Sequence, residues 1–197
     1  GMQPQLAIQY NSSGGNGWLG LGWDLSVPSI SVDTRWGAPR YSVEDESETY
    51  LLNGEMLTPA AHRGDAVPRN ESGDKVFRAR VEGSFRRIVR HGNSPDEYWW
   101  EVTDKNGTRH YYGSEGDGQH TGSMLRRTAQ ERPGVFKWML RKSEDTNGNT
   151  VIYDYRKVCD TGVGGGHNAN QDADCEIGTA AAVAGYQLYP EGIHYTG

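Results

Sequence analysis

Three Asn-Gly dipeptides constrain the fold of this 197-residue chain more than any other feature. They are Asn53-Gly54, Asn106-Gly107 and Asn147-Gly148, and each lies between two runs of alternating apolar and polar residues. Asn-Gly favours a tight turn between antiparallel strands, because both residues tolerate the positive φ that such a turn needs. A period of two in the flanking runs is typical of strands. The sequence therefore predicts an all-β fold of antiparallel hairpins that form a barrel-like or shell-like sheet.

The second and third of these turns resemble each other beyond the dipeptide. The first of the two is Asp104-Lys105-Asn106-Gly107, and Tyr111 and Tyr112 follow it. The second is Asp145-Thr146-Asn147-Gly148, which begins 41 positions later (104 to 145) and is followed by Tyr153 and Tyr155. Repeated units of this kind indicate a sheet built by adding similar hairpins. We expect Asn106, Gly107, Asn147 and Gly148 to act as structural turn residues.

The alternation within the strands also predicts which side chains form the core. Three sets of apolar residues each share one face of a strand: Tyr98, Trp100 and Val102; Phe136, Trp138 and Leu140; and Val151, Tyr153 and Tyr155. Trp99 and Tyr111 lie on the opposite face of their hairpin, where exposed rings would suit a glycan or a cell-surface ligand.

The rest of the chain predicts one domain, residues 3–197, with little helix. One short helix is expected near residues 175–187, where the run Thr179–Ala184 has a helical composition. Residues 159–175 are rich in glycine and polar residues, and we expect a flexible insertion loop there. Cys159 and Cys175 at its ends would form a disulfide in an oxidising compartment and remain thiols in the cytosol.

A segment rich in glycine and tryptophan near the N-terminus has a structural interpretation. Its expected structural residues are Gly17, Trp18, Gly20, Gly22 and Trp23, which would form a bend with the indole rings packed over bare backbone. The same segment contains a G-x-G-x-x-G pattern beginning at Gly15. No helical pattern follows it, so it lacks the helix N-terminus that binds a dinucleotide pyrophosphate. We expect no cofactor.

Candidate catalytic and metal sites are weak. Glu46-Ser47-Glu48 matches the E-x-E pair of arginine-specific ADP-ribosyltransferases, but the Ser-Thr-Ser strand of that class is missing and an exposed acidic loop is expected. The six histidines are scattered, so no catalytic residue is predicted. Alternating oxygen-bearing side chains leave calcium as an alternative to an ordinary solvated loop; these residues are Asn168, Asn170, Asp172 and Asp174.

Charge and hydropathy exclude several classes of function. The net charge is -6 with both signs interspersed, and the arginines near residues 78–90 are expected mostly on a solvent-exposed strand face, so nucleic acid is not an expected partner. No run approaches the roughly 18 apolar residues of a membrane span. No signal peptide is visible at the start of the sequence.

Several motifs together resemble the SpvB-type N-terminal domain. They are Leu6–Ser12, Gly15-Asn16-Gly17, Gly20–Trp23, Pro28–Ser31, Gly37–Tyr41, Thr49–Glu55, Asp145–Asn149 with Tyr153–Tyr155, and Ile193–Gly197. That domain begins the B component of insecticidal toxin complexes (Tc toxins), precedes the ADP-ribosyltransferase domain of SpvB-like effectors, and has relatives that lead into YD/RHS-repeat proteins.

The resemblance implies a non-enzymatic structural domain of a secreted bacterial virulence or toxin protein. Its partners would be further β-sheet domains of the same polypeptide or of toxin-complex subunits, forming a shell that encloses or presents a toxic cargo. The alternatives are a glycan-binding or cell-surface-binding module and the leader domain of an ADP-ribosyltransferase toxin. Unpaired strand edges would also allow the isolated domain to form an edge-strand dimer.

Overall fold

The computed structural model describes residues 2–4, 6–13, 16–42, 46–60, 73–80, 85–119, 122–127, 132–160 and 185–196. These residues contain fifteen β-strands and no helix, which confirms the all-β prediction. None of this part of the chain could therefore cross a membrane as a helix. The strands are β1 Ile8–Tyr10, β2 Asn16–Gly17, β3 Gly20–Leu21, β4 Trp23–Leu25, β5 Ser29–Val32, β6 Tyr50–Leu52, β7 Glu55–Pro59, β8 Lys75–Ala79, β9 Arg87–His91, β10 Trp99–Thr103, β11 Arg109–Tyr112, β12 Met124–Arg127, β13 Gly134–Glu144, β14 Thr150–Asp160 and β15 Gly185–Tyr195.

Eight of these strands form a closed antiparallel barrel. Strands β5 to β11 pair in sequence order, and β13 then pairs with both β11 and β5. The other strands add to this barrel: β12 and β14 pair with further parts of β13, and β15 pairs with β14. The N-terminal strands stand apart as two small sheets, β1 with β4 and β2 with β3. Closure at β13 removes the two open edges that a seven-stranded meander would otherwise have.

The Asn-Gly turns fall where the sequence predicts them, with two different geometries. Asn53 and Gly54 both have positive φ (50° and 85°), as a two-residue hairpin turn requires. In the two D-x-N-G turns only the glycine has positive φ, and its N–H donates to the carbonyl of the aspartate three residues earlier, at 2.9 Å for Gly107 and 3.1 Å for Gly148. These are longer loops that end in a left-handed glycine, so the expectation of two positive φ values was wrong for them.

The two D-x-N-G hairpins are neighbours, as the repeat predicts. Arg109 of β11 pairs with Glu144 of β13, which places the two turns side by side. A Cβ atom built on Gly107 would lie 2.7 Å from Cγ2 of Thr146 in the second turn. The β8–β9 pairing shows a further hairpin, whose connecting residues 81–84 lie outside the described part of the chain.

An aromatic cluster fills the middle of the barrel. Trp100 lies 4.9 Å from Tyr50, 5.1 Å from Phe77 and 5.8 Å from Trp138 between ring centroids, and the four rings are tilted or edge-on to one another. All four side chains are almost completely buried. Such offset contacts suit the quadrupoles of the rings.

The predicted core faces agree with the observed burial, with a few exceptions. Most of the predicted residues are buried, and only Phe136 and Tyr155 are half-buried. Tyr111 was expected on an exposed face, but only 6% of it is exposed, and Trp99 stacks on His91 at 4.0 Å. Tyr111 is thus buried and Trp99 is half-buried, so the expectation of an exposed ring was wrong for Tyr111.

The C-terminal third differs from the prediction where the structure describes it. Residues 185–187, the end of the predicted helix, belong to β15, and the other residues of that helix lie outside the described range. Residues 159 and 160, the start of the predicted insertion loop, belong to β14. The long pairing of β14 with β15 extends the regular sheet into the described part of this region.

Two tryptophan substitutions test this distribution of burial. Trp100→Ala removes the centre of the aromatic cluster and should lower the free energy of unfolding by about 3–5 kcal/mol. Trp23 is 46% exposed, so Trp23→Ala should cost clearly less, about 1–2 kcal/mol at most. Urea unfolding followed by circular dichroism measures both values. Equal losses for the two variants would contradict the structure.

Candidate functional site

The N-terminal glycine and tryptophan residues form the bend that the sequence predicts, with a different arrangement of rings. Strand β1 turns back to pair with β4, so that Tyr10 lies opposite Trp23. A Cβ atom on Gly17 would lie 2.3 Å from the carbonyl oxygen of Trp23, which explains the need for bare backbone there. Gly22 has φ of 76° and lies against the Tyr10 ring. Trp23 lies 4.9 Å from Tyr10 between ring centroids, and 46% of the residue remains exposed.

The G-x-G-x-x-G pattern has no phosphate-binding geometry in the described residues. Asn16–Gly17 and Gly20–Leu21 are the two short strands β2 and β3, with Trp18 and Leu19 in the turn between them. The chain continues into strand β4. A dinucleotide site of this type needs a helix N-terminus at that place, and residues 16–25 contain only strands and turns.

Two predicted sites fall outside the residues that the structure describes. The calcium candidates Asn168, Asn170, Asp172 and Asp174 lie there, as does Cys175. The side chain of Cys159 is likewise not described, so the disulfide stays a prediction. Within the described ranges, no group of three or more His, Cys, Asp and Glu side chains is placed to hold a metal ion.

The two glutamates of the E-x-E motif are engaged in structural contacts. The Glu46 carboxylate forms ion pairs with Arg90 and Lys75, and only 8% of its side chain is exposed. Glu48 accepts hydrogen bonds from the backbone N–H groups of Arg40 and Tyr41, both at 2.8 Å. The expectation of a solvent-exposed acidic loop was therefore wrong for Glu46, because two cations on neighbouring strands draw its carboxylate into the barrel.

Arg90 is the charged residue at the centre of this cluster. Its guanidinium is fully buried, lies 3.9 Å from the centroid of the Tyr98 ring, and donates to the Tyr50 hydroxyl at 3.4 Å. Register places Arg90 of β9 opposite Lys75 of β8, so one carboxylate serves both cations. A buried charge without its partner is strongly unfavourable, whereas the paired and ring-covered arrangement is tolerated. This ion-pair cluster closes one mouth of the barrel.

The opposite mouth carries a chain of polar side chains that crosses four adjacent strands. Arg86 precedes β9, and its Nε donates to Asp104 Oδ1 at 2.9 Å. Asp104 Oδ2 lies 3.0 Å from Nε2 of His110 on β11. Nδ1 of the same ring lies 2.8 Å from Oγ of Ser143 on β13. His110 and Ser143 are directly opposite residues in the β11–β13 pairing that closes the barrel.

The order of these groups is that of a serine–histidine–aspartate nucleophile, and their surroundings favour a structural role. With Nε2–H donating to the Asp104 carboxylate, Nδ1 accepts the hydrogen of the Ser143 hydroxyl. Ser143 lies within a strand and is only 3% exposed. Arg86 holds the second oxygen of Asp104, so every member of the polar chain is used to join adjacent strands. The chain thus reinforces the seam between β11 and β13.

Sequence reasoning missed this polar chain, because it treated the histidines as scattered and left Ser143 unassigned. A signal was nevertheless present in the repeat of the two D-x-N-G turns. If those turns are side by side, His110, three residues after Gly107, comes opposite Ser143, two residues before Asp145. The register of the repeat therefore predicts the contact once the two hairpins are taken as neighbours.

A cavity of about 340 Å³ opens at this mouth. Its floor includes Tyr112 and Tyr153, and burial raises the pKa of both phenols, so both stay neutral at physiological pH. The polar chain and the turn residue Asn53 form part of its wall, and Met2 and Gln3 lie along one side. The cavity is therefore the open end of the barrel, with an apolar floor and a polar rim.

Removing the buried carboxylate tests the cluster at the other mouth. Glu46→Gln leaves two cations close together with no anion, and should lower the free energy of unfolding by roughly 3–5 kcal/mol. Glu144→Gln is the control, because its 3.0 Å pair with Lys142 lies in a partly exposed position and is expected to contribute about 1 kcal/mol or less. Denaturant unfolding of both variants gives the comparison, and a loss for Glu46→Gln as small as the control would contradict this description.

Comparison with known sequences finds relatives among bacterial virulence proteins. The chain is 31% identical over 168 residues to the mono(ADP-ribosyl)transferase SpvB of Salmonella choleraesuis, and it matches the Salmonella dublin protein of that name equally well. Each match covers 79% of this chain and 27% of the relative. The chain thus spans about a quarter of the length of these relatives.

Comparison of this structure with solved structures finds the same family and also components of toxin complexes. The N-terminal domain of the effector SpvB from Salmonella typhimurium superposes with a TM-score of 0.70 and 26% identity, over 99% of this chain and 59% of that one. The TcdB2-TccC3 structure matches with a TM-score of 0.69 and 25% identity, over 98% of this chain and 9% of that one.

The family model described as "SpvB: Salmonella virulence plasmid 65kDa B protein" matches residues 1–197. The motifs, the all-β fold and the relatives agree with this match. The chain therefore belongs to the SpvB family, as a toxin-associated β domain.

Proposed function

We propose that this domain is a non-enzymatic structural module that adds β-sheet to a larger toxin polypeptide. The observation that carries the proposal is the end of the sheet at β15. This strand has eleven residues and pairs on one side with β14, and no described strand pairs with its other side. A long strand edge of this kind accepts further strands through its backbone N–H and carbonyl groups.

The state of the barrel interior supports a structural rather than catalytic role. Aromatic rings fill the middle, the ion-pair cluster of Glu46, Arg90 and Lys75 closes one mouth, and the polar chain reinforces the seam. The perturbed phenol pKa values have burial as their main cause, which is what packed core tyrosines show. No group described above is poised with both a reactive atom and open access to substrate.

The relatives suggest what the added sheet would do. The matched region of TcdB2-TccC3 is a small part of a much longer polypeptide. We propose that the domain contributes to a shell that encloses or presents a toxic cargo, as part of a secreted protein related to the insecticidal Tc toxins and to RHS or YD repeats. Further β-sheet domains, in the same polypeptide or in other subunits, would then be its partners.

The relatives are named as transferases, and we propose that this activity belongs to regions of those proteins that this chain does not match. Only 27% of each relative is covered, and the E-x-E motif of this chain is used for an ion pair and for backbone hydrogen bonds. If such a catalytic domain accompanies this module in a longer polypeptide, the module would be the leader domain of an ADP-ribosyltransferase toxin.

An activity assay tests the non-enzymatic part. The purified chain is incubated with NAD⁺ and with arginine-containing acceptor proteins, and nicotinamide release and ADP-ribose transfer are measured. We expect both to equal the buffer control, and Glu48→Gln to leave the result unchanged. Turnover that Glu48→Gln abolishes would contradict the proposal.

The strand edge has its own test in the association state of the isolated chain. We expect a concentration-dependent dimer through β15, and Tyr189→Lys with Tyr195→Lys should shift it to monomer because edge lysines repel added strands. Tyr10→Lys on the N-terminal hairpin is the control and should leave the dimer intact. Light scattering measures all three proteins, and a monomeric wild-type chain at high concentration would contradict an available edge.

A further inference from the structure

The open mouth of the barrel has the size of a site for one small ligand. An eight-stranded barrel is just wide enough for its interior to be filled by side chains or to hold one small ligand. Here side chains fill the middle, and the remaining cavity of about 340 Å³ lies at the end that carries the two D-x-N-G turns. This volume is at the lower end of the range for small-molecule sites.

The charges on the cavity wall favour a neutral ligand. Arg86 and Asp104 both line the cavity, and they are paired with each other at 2.9 Å. Each therefore offsets the charge of the other. A ligand with a net charge would be attracted by one and repelled by the other at almost the same distance, whereas a neutral ligand meets no such conflict.

The same wall offers donors and acceptors together. Asn53 uses its Oδ1 to accept from the backbone N–H of Ser29 at 2.9 Å, and Asn106 uses its Oδ1 to accept from Thr108 at 3.1 Å. Their amide NH₂ groups are thus left as donors at the cavity. The carboxylate of Asp104 keeps lone pairs for a further hydrogen bond beyond those from Arg86 and His110. A hydroxyl group is both donor and acceptor, so adjacent hydroxyls match this rim.

The floor of the cavity is apolar. It consists of Val102, Leu140 and Val151, together with the neutral tyrosines Tyr112 and Tyr153. A ligand for this site therefore needs one apolar face as well as several hydroxyl groups. A pyranose ring has C–H groups on a face and hydroxyls around its edge.

We propose that this mouth binds one neutral saccharide unit, either a free monosaccharide or the terminal residue of a glycan. The site lies away from the Trp99 and Tyr111 face, and it would add a binding function to the structural role. Asn53, Asn106 and Asp104 form hydrogen bonds with the hydroxyl groups, and Arg86 offsets the charge of Asp104. The valine, leucine and tyrosine side chains of the floor pack against the apolar face of the ring.

Titration of the ¹⁵N-labelled chain with neutral hexoses, N-acetylhexosamines and their methyl glycosides tests the site by NMR. We expect shifts confined to the D-x-N-G turns, Asn53 and the β11–β13 seam, with a dissociation constant on the order of 1 mM. Oligosaccharides with the same terminal residue distinguish a glycan from a free sugar as the ligand. If the oligosaccharide binds more tightly than the methyl glycoside, the ligand is a glycan terminus. If the two bind equally, the ligand is a free monosaccharide.

Two variants of one turn make the test specific. Thr108→Trp fills the cavity mouth and should weaken binding by about tenfold or more, which corresponds to about 1.4 kcal/mol. Lys105→Trp places the same ring on the exposed side of the same turn and should leave binding unchanged. A dispersed spectrum and an unchanged melting temperature show that each variant folds. Absence of saccharide shifts in the wild type, equal binding by both variants, or tighter binding of uronic or sialic acids would overturn the proposal.

Discussion

The pairing of β11 with β13 is the contact on which the rest of the structure depends, because it turns a meander into a closed barrel. Without it, β11 would be an edge strand and β13 would have an unpaired stretch facing it, and the aromatic cluster around Trp100 would face water on one side. The register shift between Tyr111 and Tyr112 lets Tyr112 lie opposite Leu140 within the interior. It also leaves Arg141 out of the ladder, where its guanidinium binds Glu115 at 2.6 Å and Asp154.

Closure gives the barrel two unlike ends, and each end has a consequence for function. One end carries a buried carboxylate, Glu46, paired with two cations. The other keeps a cavity whose polar rim comes from turn residues and from the polar chain that reinforces the seam. The sheet itself continues past the barrel through β14 to the edge of β15. The domain thus combines a packed core with a strand edge, which suits the structural role proposed above.

Much of this fold follows from local sequence. The Asn-Gly turns, the alternation of Trp100 and Val102, and the repeat of the D-x-N-G hairpins predict strands, core faces and one neighbouring pair of hairpins. Other features depend on long-range pairing and could not be read locally. Glu46 belongs to an acidic run, and its burial is decided by Arg90, 44 residues away in sequence. Likewise, the partial exposure of Trp23 arises because β1 and β4 form a separate sheet outside the barrel.

Amide hydrogen exchange at the β11–β13 seam tests barrel closure most directly. If the barrel is closed, the amide of Gly113, which donates across the seam to the Met139 carbonyl at 3.2 Å, should exchange only through global unfolding, with the same opening free energy as the central strands β9 and β10. NMR exchange in increasing denaturant measures that free energy residue by residue. Seam amides that exchange by a separate opening of lower free energy, while β9 and β10 stay protected, would show that β11 and β13 are open edges and would contradict the account.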